Sequence, residues 1–297
     1  MVSSDNKGIL MSPSPTFATS CHSSLPTANV YDIPVSDSIF LRLYSDTNPH
    51  NWKIADLQKG LIFVHNGLEK VGEGTGFGFP ILGYADETYF PGTATIDGSQ
   101  HGSCISVCKE FCMNMISRNN LKSVILENQK ARALLRYLAD LYQKHRHLRF
   151  LHAKNFFTNI GIKSSFVRTP PVGNVRISYI ISKRLIHVKA DFSLCNRKKP
   201  QKIFLLNEQS SKLFRRYSDA NHTELFDKQI DAWEPVQADW ACLTSIDKEF
   251  GFKMWRTEGF LRRGREFISN SMDWAGLDYE IDPRITSFEY DIEILEG

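Results

Sequence analysis

The chain has 297 residues and a mass of 34.0 kDa, which corresponds to about two average domains or one large β-domain. Hydrophobic residues make up 42% of the sequence and charged residues 23%; this ordinary composition excludes a collagen-like, a wholly disordered and a disulfide-scaffold chain. No segment reaches the ~18 uncharged apolar residues that a membrane-spanning helix needs.

The N-terminal segment is rich in small polar residues. The first 30 residues contain seven serines, three threonines and three prolines. The apolar run Gly8–Met11 is too short for a signal peptide, and Ser12-Pro13 interrupts it. We therefore predict a flexible tail over residues 1–30 and a cytoplasmic protein, with a cleaved leader as the alternative.

Strand-like patterns follow the tail. Apolar and more polar residues alternate over Ile39–Tyr44, and Leu61–Val64 is a short apolar run typical of a buried strand. Further on, Cys104, Cys108 and Cys112 alternate with apolar residues, which predicts a strand. Cysteines four positions apart on a strand are ~13 Å apart and cannot share a metal ion. We predict no metal site, and no cofactor motif is present.

A glycine repeat lies between these strands. Gly72, Gly74, Gly76 and Gly78 recur with period two, in a segment that matches neither G-x-G-x-x-G nor the P-loop. In an extended chain they would leave one bare face, which permits close approach by a ligand, a strand or a ring. The segment is therefore either a bulged, tightly packed crossing between sheets or the floor of a ligand cleft.

One helical pattern precedes the C-terminal strands. Apolar residues recur every three or four positions over Glu127–Phe150, which predicts an amphipathic helix with a basic face. Val175–Ile181 and Ile186–Phe192 alternate with period two and predict an antiparallel hairpin. Phe288–Ile294 alternates with acidic residues, and such an acidic outer face is typical of an edge strand.

These elements predict a mainly β fold: a large antiparallel β-sandwich, supersandwich-like, interrupted by one amphipathic α-helix. The predicted division is a tail over 1–30, an N-terminal β half over 31–120, a helical connection over 121–155 and a C-terminal β half over 156–297. The two halves are expected to share one core. The architecture resembles the supersandwich of galactose mutarotases and polysaccharide lyases; this resemblance concerns the fold and implies no function.

Charge is distributed unevenly. Residues 121–220 carry a net charge of +16, and the rest of the chain carries −13. Either the acidic flanks neutralise the basic middle, or a basic surface attracts an anionic partner.

The leading functional hypothesis is a cleft for a carbohydrate or another polar, possibly anionic, ligand, with a sugar-active enzyme as its catalytic form. Histidine, glutamate and tyrosine side chains can serve as acid or base, basic residues can hold an anionic group, and tryptophan offers a flat face to a sugar ring. The residues assigned to catalysis are His65, Glu73, Tyr84 and Tyr89, and those assigned to ligand binding are Gly74, Gly76, Arg176, Lys189 and Trp255.

Two alternatives remain. The first is a non-catalytic binding protein whose basic segment, 121–220, contacts nucleic acid, an anionic membrane surface or an acidic protein. The second is an enzyme that acts on a hydrophobic small molecule inside the sandwich.

Overall fold

A computed structural model describes residues 23–24, 30–44, 58–72, 74–84, 87–120, 164–168, 170–195, 200–227, 230–269 and 272–297. Twenty strands and no helix occur among these residues, so nothing in the described ranges is a helix able to cross a membrane. The strands are β1 Ser23–Ser24, β2 Val30–Pro34, β3 Ile39–Tyr44, β4 Ile62–His65, β5 Leu68–Glu69, β6 Gly76–Tyr84, β7 Glu87–His101, β8 Cys104–Asn120, β9 Ser164–Arg168, β10 Gly173–Ser182, β11 Leu185–Asp191, β12 Lys202–Gln209, β13 Arg216–Asp219, β14 Thr223–Leu225, β15 Ile230–Pro235, β16 Trp240–Thr244, β17 Phe250–Trp255, β18 Phe260–Ser269, β19 Met272–Ile281 and β20 Ser287–Glu296.

The predicted mainly β, antiparallel architecture is confirmed. One sheet of 16 strands has the order β14-β13-β16-β17-β20-β11-β10-β8-β7-β6-β12-β19-β18-β15, with β1 beside β7 and β9 beside β8. The predicted helix over Glu127–Phe150 lies outside the described residues, as do Glu73 and most of the predicted tail. The division into tail, two β halves and a helical connection stays a prediction.

The large sheet folds back on itself. Strands β20 and β12 are six positions apart in its order, which would separate them by about 29 Å in a flat sheet. Yet the Tyr290 hydroxyl of β20 donates a hydrogen bond of 2.8 Å to Asn207 Oδ1 of β12. The rings of Phe77 on β6 and Phe252 on β17 also meet, with centroids 5.0 Å apart. The two layers therefore enclose a core, the packing that a β-sandwich requires.

A small sheet closes one end of this core. It has the order β2-β3-β4-β5, and all four residues of β4 are buried, as the apolar run predicts. Phe63 of β4 packs on Phe214 and Phe250 with ring centroids 5.9 Å away in each case. The fully buried Lys109 of β8 reaches the same region and donates hydrogen bonds to the carbonyl oxygens of Tyr44 and Lys59.

The local strand predictions are confirmed with one correction. The predicted hairpin is formed by β10 and β11, and the cysteine segment forms β8. The prediction that Phe288–Ile294 is an edge strand is wrong, because β20 pairs with β11 on one side and with β17 on the other. Its acidic face instead lies beside basic neighbours, since Glu289 is opposite Lys189 and Asp291 is opposite His187.

Several such pairs join the basic middle of the chain to its acidic parts. Lys189 Nζ lies 2.7 Å from Glu289, and Arg176 lies 2.8 Å from Glu110. Arg184 pairs with Glu296. These contacts pair three basic residues of the 121–220 segment with acidic residues outside it, although each exposed pair contributes little to stability.

Candidate functional site

The glycine repeat forms a bulge rather than a flat extended face. Gly76 and Gly78 have φ values of +77° and +75°, a conformation that glycine adopts without strain. The β6–β12 register shifts between Leu206 and Asn207. The four glycines therefore share no bare face. A Cβ on Gly74 would lie 2.7 Å from Glu208 O, and one on Gly76 would lie 2.9 Å from Leu61 O. Backbone thus fills the space beside both glycines, and their role in ligand binding stays a prediction.

The predicted acid and base residues lie in different surroundings. His65 ends β4 and lies on the ring of Phe250, with centroids 4.8 Å apart. Tyr84 and Tyr89 meet edge to face at 5.2 Å where β6 leads into β7. Burial raises the pKa of Tyr84 to about 12. The common catalytic role of His65, Tyr84 and Tyr89 stays a prediction.

Three predicted ligand-binding residues project from the outer face of one layer. Arg176 lies on β10, Lys189 on β11 and Trp255 on β17. The first two are held in the ion pairs with Glu110 and Glu289 described above. Trp255 lies opposite Trp240 of β16, and the Lys253 ammonium is 5.0 Å and 4.5 Å from the centroids of the two indoles. Binding of an anionic polymer at this face stays a prediction.

A more unusual constellation lies on the opposite layer, on the outer face of β12, β19 and β18. The strand register places Glu208, Gly276 and Gly264 side by side in one row. A Cβ on Gly276 would lie 3.1 Å from Glu208 Cγ, and one on Gly264 would lie 2.5 Å from Trp233 Cδ2. The missing side chains therefore let Glu208 and the Trp233 indole lie directly on the sheet from two sides.

The next row along β19 carries a second carboxyl group, Asp278. Asp278 is only 2% exposed, and Glu208 is 6% exposed. Oδ1 of Asp278 accepts the Asn207 N–H at 2.6 Å, whereas Oδ2 has no hydrogen-bond partner among the described residues. Burial raises the pKa of Asp278 well above its usual value, and the charge of Glu208 raises it further.

The rim of this face is more exposed and mixed in character. Arg262 is paired in register with Asp278 and binds Glu280 and the Trp233 carbonyl oxygen, the latter at 2.8 Å. Trp274 lies two positions before Gly276 and is half-buried like Trp233. We call the set Glu208, Asp278, Arg262, Trp233, Gly264 and Gly276 the carboxyl face.

The chemistry available at the carboxyl face is proton transfer beside an apolar ring. A carboxyl group with a raised pKa stays protonated at neutral pH and can donate, while a neighbouring carboxylate can accept. A flat indole beside them offers a surface on which a ring can stack.

Sequence patterns alone did not identify this face. The signal is the alternation Trp274, Gly276, Asp278 and Glu280, opposite the apolar Ala275, Leu277, Tyr279 and Ile281. That alternation predicts a polar outer face, where a carboxyl group is ordinarily solvated. Only the three-dimensional arrangement buries Asp278 beside Glu208.

A comparison with protein-family models gives no match, and a comparison with curated protein sequences gives none either. Among solved structures, the chain is similar to the α-N-acetylgalactosaminidase NagBb from Bifidobacterium bifidum in complex with GalNAc: 9% identity, 90% of this chain, 36% of that chain and a TM-score of 0.48. This chain therefore spans about a third of that protein. It is also similar to the Slr1438 protein from Synechocystis sp. PCC 6803, with 9% identity, coverages of 90% and 96%, and a TM-score of 0.38. It is similar as well to the galactose mutarotase related enzyme from Lactobacillus acidophilus, with 9% identity, coverage of 90% of this chain and 97% of that chain, and a TM-score of 0.36. At these values the likeness bears on neither the site nor the substrate.

Proposed function

We propose that the chain binds a saccharide at the carboxyl face and that Asp278 and Glu208 exchange protons with it. The observation that carries this proposal is the buried carboxyl group of Asp278 beside Glu208, with one oxygen that has no partner among the described residues. A buried polar atom without a partner costs free energy, so Oδ2 would gain a hydrogen bond from a ligand hydroxyl that displaces the side chains covering it.

The surroundings of the pair favour a sugar over other polar ligands. A sugar ring presents hydroxyl groups at its rim and apolar C–H groups on its faces. Carboxyl groups form hydrogen bonds with the hydroxyl groups, and the Trp233 indole can pack against the C–H groups. Paired carboxyl groups are also the residues that carry acid–base chemistry on glycosidic bonds. In this proposal Asp278 donates its proton to a ring or glycosidic oxygen of the sugar, and Glu208 accepts a proton from a sugar hydroxyl or from water, so that no net charge is left on the sugar.

Direct binding to the full chain tests the proposal. We expect a panel of neutral mono- and oligosaccharides, examined by calorimetry, to contain a ligand whose affinity falls about tenfold or more in Glu208→Gln and in Trp233→Ala, since each removes a direct contact. Asp278→Asn keeps the shape of the protonated group and is expected to bind but to transfer no proton.

The matched control is Trp255→Ala, which removes an indole from the face of Arg176 and Lys189. Saccharide binding that is lost in Trp255→Ala and unchanged in Trp233→Ala would place the ligand at the residues predicted from the sequence and reject the carboxyl face. Binding unaffected by both carboxyl-face variants would reject it as well. Urea unfolding of each variant separates loss of contact from loss of fold.

A further inference from the structure

The hydrogen bonds of Asn207 are arranged unusually for a residue in the middle of a sheet. Its backbone N–H donates to the Asp278 side chain at 2.6 Å. Its side-chain Nδ2 donates to the carbonyl oxygens of Leu277 at 3.1 Å and of Leu205 at 3.3 Å. Asn207 is therefore bonded to β19 twice, from its backbone to the Asp278 side chain and from its side chain to the Leu277 backbone.

The acceptor side of the Asn207 amide is also filled. Its Oδ1 accepts the Gly78 N–H at 3.0 Å and the Tyr290 hydroxyl at 2.8 Å. A primary amide has two donor hydrogens and two acceptor lone pairs, so all four are used. Asn207 is fully buried, and its partners lie on four strands, β6, β12, β19 and β20. Its rotamer is therefore fixed from every side.

This arrangement gives the glycine bulge a function. The positive φ of Gly78 and the register shift beside it bring the Gly78 N–H within reach of the Asn207 side chain. A Cβ at Gly78 would lie 2.7 Å from the Tyr179 hydroxyl, so the position has no room for a side chain. The bulge thereby supports the residue that holds Asp278.

We propose that Asn207 is a positioning residue that fixes the proton of Asp278 on Oδ2. Oδ1 of Asp278 accepts the hydrogen bond from the Asn207 N–H and is therefore the carbonyl oxygen of the protonated carboxyl group. Oδ2 is then its hydroxyl oxygen. Asp278 then presents its O–H in one direction, and the substrate receives that proton. The transfer of this proton to a substrate rests on the proposed function. The hydrogen bonds of Asn207 do not depend on it.

Isotope-edited infrared spectroscopy of the full chain can observe Asp278 directly. We expect a carbonyl stretching band of a protonated carboxyl group at neutral pH that disappears in Asp278→Asn. In Tyr290→Phe, which removes one of the bonds that hold Asn207, the band is expected to shift or broaden. Saccharide affinity is expected to fall by up to about tenfold, the effect of one lost hydrogen bond.

The matched control is Tyr279→Phe. Tyr279 is buried beside Tyr290, with ring centroids 4.8 Å apart, but its hydroxyl donates to the Trp255 carbonyl oxygen and does not contact Asn207. A band that changes equally in both variants, that changes in neither, or that is missing in the unmodified chain overturns the proposal. A band that changes only in Tyr290→Phe in a chain that binds no saccharide keeps the positioning role and rejects the proposed function.

Discussion

Replacement of Lys109 by methionine is expected to remove a steep pH dependence of stability between about pH 7 and pH 10. Burial lowers the pKa of Lys109 from 10.5 to about 7. Above pH 7 the folded chain therefore holds a neutral amine, whereas the unfolded chain remains protonated up to its ordinary value. Within that window the unfolded state binds one more proton than the folded state.

The sign of the effect follows from this difference. Stability rises with pH wherever the unfolded state binds more protons, by about 1.4 kcal/mol per pH unit for one group. The cost of burying Lys109 is fully present below the folded pKa and is gone above the unfolded one. The hydrogen bonds of Lys109 suit a neutral amine. Such an amine has two N–H donors, and Lys109 Nζ has two carbonyl acceptors, at 2.9 Å and 2.7 Å.

Urea unfolding of the unmodified chain and of Lys109→Met at several pH values measures the effect. The free energy of unfolding of the unmodified chain minus that of Lys109→Met is expected to rise by several kcal/mol from pH 7 to pH 10. The titration of all other groups cancels in this difference. Lys189→Met is the control: its pairing with Glu289 raises the pKa of Lys189, so its difference curve should stay flat from pH 7 to pH 9. A flat curve for Lys109→Met would contradict the prediction.

The second large effect is expected at Gly76. In Gly76→Ala the new Cβ would lie 2.9 Å from the Leu61 carbonyl oxygen, at a φ of +77°. Backbone cannot move aside as a flexible side chain can. The left-handed conformation costs an alanine about 1–2 kcal/mol, and the overpacked contact adds about 1–3 kcal/mol.

Gly67 provides a matched control for this substitution. Its φ is +75°, nearly the same, but nothing lies within 4 Å of an added Cβ. Gly67→Ala should therefore show the conformational cost alone. Equal destabilisation of the two variants in urea unfolding would mean that the close approach of β6 to Leu61 contributes nothing.

Local patterns predicted much of the fold. Alternation identified β3, β8, β10, β11 and β20, since a strand with one buried face must alternate. The placement of a strand in its sheet was not predictable in the same way. The acidic face of β20 suits an edge, but it suits equally a central strand whose neighbours carry Lys189 and His187. Only long-range pairing distinguishes the two.

The glycine repeat illustrates the same limit. Its period of two correctly marks a segment in close contact with other backbone, but the sequence could not indicate the positive φ at Gly76 and Gly78. It also gave no sign that Gly78 would bind Asn207, 129 positions further along the chain. Sites built from contacts of this range depend on topology more than on any local motif.

The central position of β20 also governs the order in which the sheet can be assembled. Until residues 287–296 emerge during synthesis, β11 and β17 each present an unpaired edge, and such edges invite pairing with other chains. A nascent chain would then expose these two unpaired strand edges for as long as translation takes to reach β20. Chaperone engagement during synthesis is expected to concentrate in that interval, and slow codons before residue 287 would lengthen it.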